Sequence, residues 1–145
     1  NAIELAHALG IATPKVAVLS AVESVNPAIP GTIDAAALSK MAERGQISGA
    51  LVDGPLAFDN AISAESARNK GIMSPVAGRP DILLVPNLEA GNMLYKQLVY
   101  LANAECAGVV LGMRVPIILT SRSDSVASRV ASCALAALAV RGELR

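Results

Sequence analysis

The segment Asp81-Ile82-Leu83-Leu84-Val85-Pro86-Asn87-Leu88-Glu89-Ala90-Gly91-Asn92-Met93-Leu94-Tyr95-Lys96 changes its hydrophobic period partway along. Ile82 to Val85 is continuously apolar and is closed by Pro86, the pattern of a short strand covered on both faces. From Glu89 to about Asn103 the leucines at 94, 98 and 101 recur at helical spacing and share a face, while Asn92 and Lys96, with Tyr95 beside them, take another. A buried strand running straight into a helix is the repeating unit of α/β proteins.

The same alternation continues outward. Toward the N-terminus, Ala50-Leu51-Val52 reads as a buried strand that stops at Asp53-Gly54-Pro55, and Phe58 to Lys70 carries a loop and a short helix. Val16-Ala17-Val18-Leu19 reads as another buried strand, followed by a loop with Pro27, Pro30 and Gly31 and a helix to about Arg44. Leu5, Ala8 and Leu9 mark an opening helix ended by Gly10. Toward the C-terminus, Ala107 to Leu111 and Val115 to Thr120 read as two β-type runs. A final helix over about 124–141 is expected to turn Val126, Val130, Ala134, Ala137 and Leu138 inward. The fold class is therefore α/β, with a mostly parallel or mixed sheet flanked by helices.

Composition sets limits on partners. The 145 residues suit one domain, and a mean hydropathy of +0.50 is too apolar for a disordered chain. With 12 basic and 12 acidic residues there is no basic stripe to neutralise phosphates and no polybasic patch for a membrane surface. Nucleic acid and membrane are thus not expected partners. No apolar run approaches the ~20 residues of a spanning helix, and no secretory signal is readable, so a cytoplasmic setting is expected. Trp is absent, Phe occurs once and Ala 27 times, which predicts a core of small aliphatic residues. Cys106 and Cys133 lack metal or redox spacing and are expected as buried apolar thiols. His7 has no companion acid or serine at a readable spacing, and no GxSxG, Walker or GxGxxG motif is present.

Three polar clusters follow apolar runs, where ligands of open α/β sheets bind. The first is Asp53-Gly54-Pro55 with Asp59; its plain alternative is an ordinary turn. The second runs from Asn87 through Gly91 and Asn92, with Lys96 one turn on. Free N–H groups at that helix start favour anions, but Asn87 as a cap and Gly91 as a packing glycine explain it equally. The third is Thr120-Ser121-Arg122-Ser123-Asp124-Ser125. Arg122 offers bidentate donors suited to phosphate, against the alternative of a capping sequence with Ser123 or Asp124 as N-cap.

Together with Ser74-Pro75-Val76-Ala77-Gly78-Arg79-Pro80-Asp81, these motifs, in this order and spacing, resemble the phosphate acetyltransferase and butyryltransferase family, from the first residues to about Val140. The resemblance implies reversible transfer of an acetyl or butyryl group between coenzyme A and inorganic phosphate. It also implies a two-domain fold like that of isocitrate and isopropylmalate dehydrogenases, with an active-site cleft between the domains. Members are longer than this chain, so residues 1–145 correspond to their C-terminal portion, with the helix at about 124–141 packing on an absent N-terminal domain of the same polypeptide. The wording is also similar to the acyltransferase part of proteins fused to an enoyl-CoA hydratase. Partners implied are acyl-CoA, phosphate, acyl phosphate and a second copy of the chain in a homodimer. Coenzyme A enters as a substrate, with no permanently bound cofactor and no metal.

Carried over by position, Ser121 and Arg122 match the pair that this family places at the acyl phosphate, with serine at the reacting carbonyl and arginine on phosphate. The acetyl type has an acidic residue seven positions after that serine, where this chain has Ser128. Ser121-Arg122-Ser123-Asp124-Ser125 is closer to the butyryl type, making Asp124 the candidate base. A free Asp near ~3.9 cannot hold a thiol of pKa ~8.5 fully ionised, but it can take the proton while sulfur attacks. Asp53, Gly54, Pro55, Asn87, Gly91, Asn92 and Lys96 are the candidate substrate contacts. A coenzyme A-binding or dimerisation module without catalysis is the alternative. A dehydrogenase is disfavoured because the chain lacks a matching acidic cluster.

Overall fold

The computed structural model describes residues 1–143, which divide into two compact units, Ala12–Gly91 and Asn1–Ile11 with the chain from Asn92 onward. In the first unit a three-stranded parallel sheet has the order β2-β1-β3, with β1 at Lys15–Leu19, β2 at Leu51–Leu56 and β3 at Ile82–Leu84. Parallel pairing requires crossovers. Helix α2 (Pro30–Glu43) supplies the first, and the short helices α3 (Phe58–Ile62) and α4 (Ala64–Asn69) lie in the second.

Strand β1 is central and buried from Val16 to Leu19, as its unbroken apolar run predicts. By the two-residue period, Ala17 and Leu19 share one face and join Leu56, Ala61 and Val76 in the core. Val16 and Val18 face the other way. A Cβ placed on Gly54 would lie 2.8 Å from that of Val18 and 3.3 Å from that of Ala35, so α2 covers the second face. Asp81 secures the entry to β3: its carboxylate accepts the Lys15 N–H at 2.8 Å and its own N–H donates to the Lys15 carbonyl at 2.9 Å.

The second unit holds α1 (Ala2–Ala8), most of α5 (Leu88–Leu101) and α6 (Val126–Glu143). Helices α1 and α6 pack together with small buried residues, Ala6 on one and Ser132, Ala136 and Ala139 on the other. This corrects the expected inward face of α6. Val126 is 79% exposed and Val130 63%, and Ala134, Ala137 and Leu138 also face outward. Small side chains let two helices approach closely, and that selects the alanine and serine stripe over the valines.

Other boundaries move as well. Ala50–Val52 is not a buried run, since Leu51 is exposed at the sheet edge; the buried end of β2 is Pro55–Leu56. The two late β runs do not join the sheet. They meet only at one antiparallel bridge, in which Val110 and Ile117 exchange hydrogen bonds of 2.8 and 3.0 Å. Helix α5 ends two residues before Asn103, whose φ of 51° turns the chain, and the Ala104 N–H returns to the Leu98 carbonyl at 3.0 Å. The irregular chain beyond is tied to α6 by Ser132, whose hydroxyl accepts the Gly108 N–H at 3.0 Å and donates to the Ser128 carbonyl at 2.7 Å. Among the described residues no helix is long and apolar enough to cross a membrane.

Candidate active site

The residues singled out from the sequence fall in both units. In the sheet unit, Asp53, Gly54 and Pro55 are not a turn beyond a strand; they lie within β2, which continues to Leu56. The Asp53 carboxylate accepts the Gly54 N–H at 2.9 Å and sits 3.5 Å from the Ser39 hydroxyl of α2. Gly54 is there because a side chain would strike Val18, and the Gly54–Pro55 peptide is cis. All three thus have structural work in the sheet.

Asn87 caps α5, accepting the Ala90 N–H on its side-chain oxygen at 2.9 Å. Gly91 brings the helix against the strand, since its Cβ would lie 2.9 Å from a Val85 methyl. The plain readings of these two positions therefore hold. Asn92 is exposed one residue further on.

The other unit gathers the remaining candidates. Residues 121–124 form a tight turn closed by the Asp124 N–H donating to the Ser121 carbonyl at 3.1 Å. The Asp124 carboxylate accepts the Ser121 N–H at 2.6 Å on one oxygen and the Tyr95 hydroxyl at 3.2 Å on the other. Helix α6 is capped by Ser125, not by Ser123 or Asp124: the Ser125 hydroxyl accepts the Ser128 N–H at 3.1 Å. Asp124 is thereby left to serve the turn. Arg122 is exposed, and its carbonyl accepts from the Arg129 guanidinium at 3.4 Å.

Lys96 reaches the same turn from α5. Its ammonium lies 3.5 Å from the Ser121 hydroxyl and over the rings of Tyr95 and Tyr100, 5.3 and 5.5 Å from their centroids. Two ring faces flanking a cation hold it without neutralising it. Tyr100 donates to the Ser123 hydroxyl at 2.9 Å, which is 3.0 Å from that of Ser121. A groove of about 330 Å³ runs beside the turn, and its lining includes the polar Lys96, Asp124, Ser125 and Ser128 and the apolar Val99, Ala104, Ala127 and Ala131.

Sequence reasoning missed Tyr95, Tyr100 and Cys106 as parts of this site. Cys106 is not a buried apolar thiol: it is half-buried in the groove, 3.1 Å from the Tyr95 hydroxyl and 3.5 Å from that of Ser128. Cys133 is exposed because its neighbour Ser132 takes the inward position on α6. The Tyr95 phenol is pushed well above the usual tyrosine value, first by the Cys106 sulfur, then by burial and by the Asp124 carboxylate. The one available signal was the pair of tyrosines flanking Lys96 on a single helix. His7 is exposed on α1, away from this constellation.

A cation beside a hydroxyl, with a carboxylate on the same turn, suits an anionic substrate undergoing proton-coupled transfer. Comparison with known proteins points the same way. Residues 1–137 match the model of the family described as phosphate acetyl/butaryl transferase. The chain is 66% identical over 138 residues to a phosphate acetyltransferase of Rhizobium meliloti, covering 95% of this chain and 44% of that protein. It is 52% identical over 138 residues to a phosphate butyryltransferase of Clostridium acetobutylicum, covering 95% of this chain and 46% of that protein. A crystal structure of a branched-chain phosphotransacylase from Enterococcus faecalis superposes with a TM-score of 0.85 at 41% identity, over 97% of this chain and 50% of that one. The chain thus spans half or less of the length of these relatives.

Proposed function

This chain belongs to the phosphate acetyl/butyryl transferase family, and from that membership we propose that it is the C-terminal portion of an enzyme that reversibly moves a short acyl group between coenzyme A and inorganic phosphate. The observation that carries the reading is the meeting of Lys96 and Ser121, 25 residues apart, at a turn that also presents Asp124. In the direction of acyl phosphate synthesis, phosphate attacks the thioester carbonyl and coenzyme A leaves as the thiol. In reverse, the thiol attacks the acyl phosphate. Lys96 and Arg122 offset the charge of phosphate, the Ser121 hydroxyl donates to the carbonyl oxygen as it becomes anionic, and Asp124 carries the thiol proton.

The reading includes an N-terminal domain of the same polypeptide, a cleft shared with it, and a two-domain architecture like that of isocitrate and isopropylmalate dehydrogenases. It also includes a homodimer, a cytoplasmic setting, and packing of α6 on the absent domain. Outward-facing Val126 and Val130 support that packing, because an apolar helix face is costly in water. Acetyl and butyryl remain joint substrates: relatives named for each match over the same length, and one or two methylenes are worth only ~1–3 kcal/mol in a pocket. The short span relative to the relatives favours one second reading, a coenzyme A-binding or dimerisation module.

The test is acyl phosphate formation from acetyl-CoA and butyryl-CoA with phosphate, comparing this chain with the longest reading frame that contains it. Activity confined to the longer protein, and lowered at least about a hundredfold by Ser121→Ala, is the expected result. Binding of coenzyme A without transfer by either protein would leave the module reading in its place.

A further inference from the structure

Resting on the acyltransferase reading, we propose that Tyr95 is a positioning residue that fixes the Asp124 carboxylate for proton transfer. A phenol has one proton, and an ionised carboxylate only accepts. The Tyr95 hydroxyl donates its proton to Asp124 Oδ1 at 3.2 Å, and the Cys106 sulfur lies 3.1 Å from the same phenol oxygen. The carboxylate thus accepts from the phenol on one oxygen and from the Ser121 N–H on the other at 2.6 Å.

Those two donors approach Asp124 from different parts of the chain. Ser121 lies three residues away on the same turn, whereas Tyr95 comes from α5, 29 residues earlier in sequence. One hydrogen bond leaves a carboxylate free to rotate about its χ angles; a second, on the other oxygen and from another element, removes that freedom. Lys96 follows Tyr95 directly and reaches Ser121. One helical turn therefore places both the cation and the clamp, and the carboxylate and the hydroxyl are set in register by adjacent residues. Tyr95 itself needs no contact with substrate.

The experiment uses the full-length enzyme and the variants Tyr95→Phe, Asp124→Asn and the two combined. Tyr95→Phe keeps the ring and removes only the donor; Tyr95→Met, a flexible filler that also has no donor, serves as the second variant if the first does not fold. Either is expected to lower kcat about tenfold or more while KM for phosphate and for coenzyme A stays within about twofold. Added to Asp124→Asn, the same change should cost nothing further, because the group it positions is already gone. Full activity in Tyr95→Phe overturns the proposal. So does a loss that multiplies with that of Asp124→Asn, which would make Tyr95 independent of Asp124, and so does a change in KM alone. A wild-type enzyme without acyl transfer fails before any variant is compared; it overturns the acyltransferase reading and this inference with it.

Discussion

Tyr95 shows what a single residue contributes beyond its type. Its hydroxyl is held between a thiol and a carboxylate, and both neighbours resist a phenolate charge. The sign follows directly. A folded-state pKa above the unfolded value near ~10 means that the stabilisation is complete below that pH and is lost as pH rises through the folded value. In an alkaline titration followed by phenolate absorbance, the component missing from Tyr95→Phe should emerge only above the range of a free tyrosine, or together with unfolding. Emergence at the ordinary value would mean that the hydroxyl is not held as described. Ser121, Arg122, Asp124 and Lys96 were legible because motif order and residue chemistry mark them. Tyr95 and Cys106 were not, because contacts made across 11 and 29 residues through an irregular segment leave no period in the sequence.

Among the elements, strands β1 and β3 and the helices were readable from apolar runs and spacing, while strand β2 was cut short by the assumption that Gly and Pro end a strand. Gly54 instead marks a close approach, and the strand passes through it. Gly54→Ala is therefore expected to lower stability by ~1–3 kcal/mol through overpacking against Val18 and Ala35, seen as a lower thermal midpoint. An unchanged midpoint would argue that β1 and α2 yield at that point. The phase of α6 was misread for a related reason. Hydrophobicity favours Val126 and Val130, but a helix packed tightly on α1 buries what is small, and only the partner decides which face that is.

For the molecule as a whole, apolar residues of the second unit remain exposed in numbers unusual for a monomer, including Leu101, Val115, Ile118, Leu119, Val126 and Val130. Expressed alone, the chain is expected to self-associate in sedimentation velocity and to bind an apolar dye more strongly, per mole, than the full-length protein. Equal dye binding would show that the proposed N-terminal domain covers none of this surface. The sequence announced plenty of apolar matter, but composition does not say which part of it the chain buries within itself. The irregular chain between α5 and Ser121 has a further consequence. It is pinned at a few places, at Asn103, at Gly108 through Ser132 and at the Val110–Ile117 pair, rather than zipped along its length. Stretches between pins answer to no ladder register, so residues there are free to drift, and an insertion costs little more than loop entropy. Across long divergence the pins would persist while the spans between them diversified, giving the groove beside this segment a wall that evolution can reshape without disturbing the turn that carries Ser121.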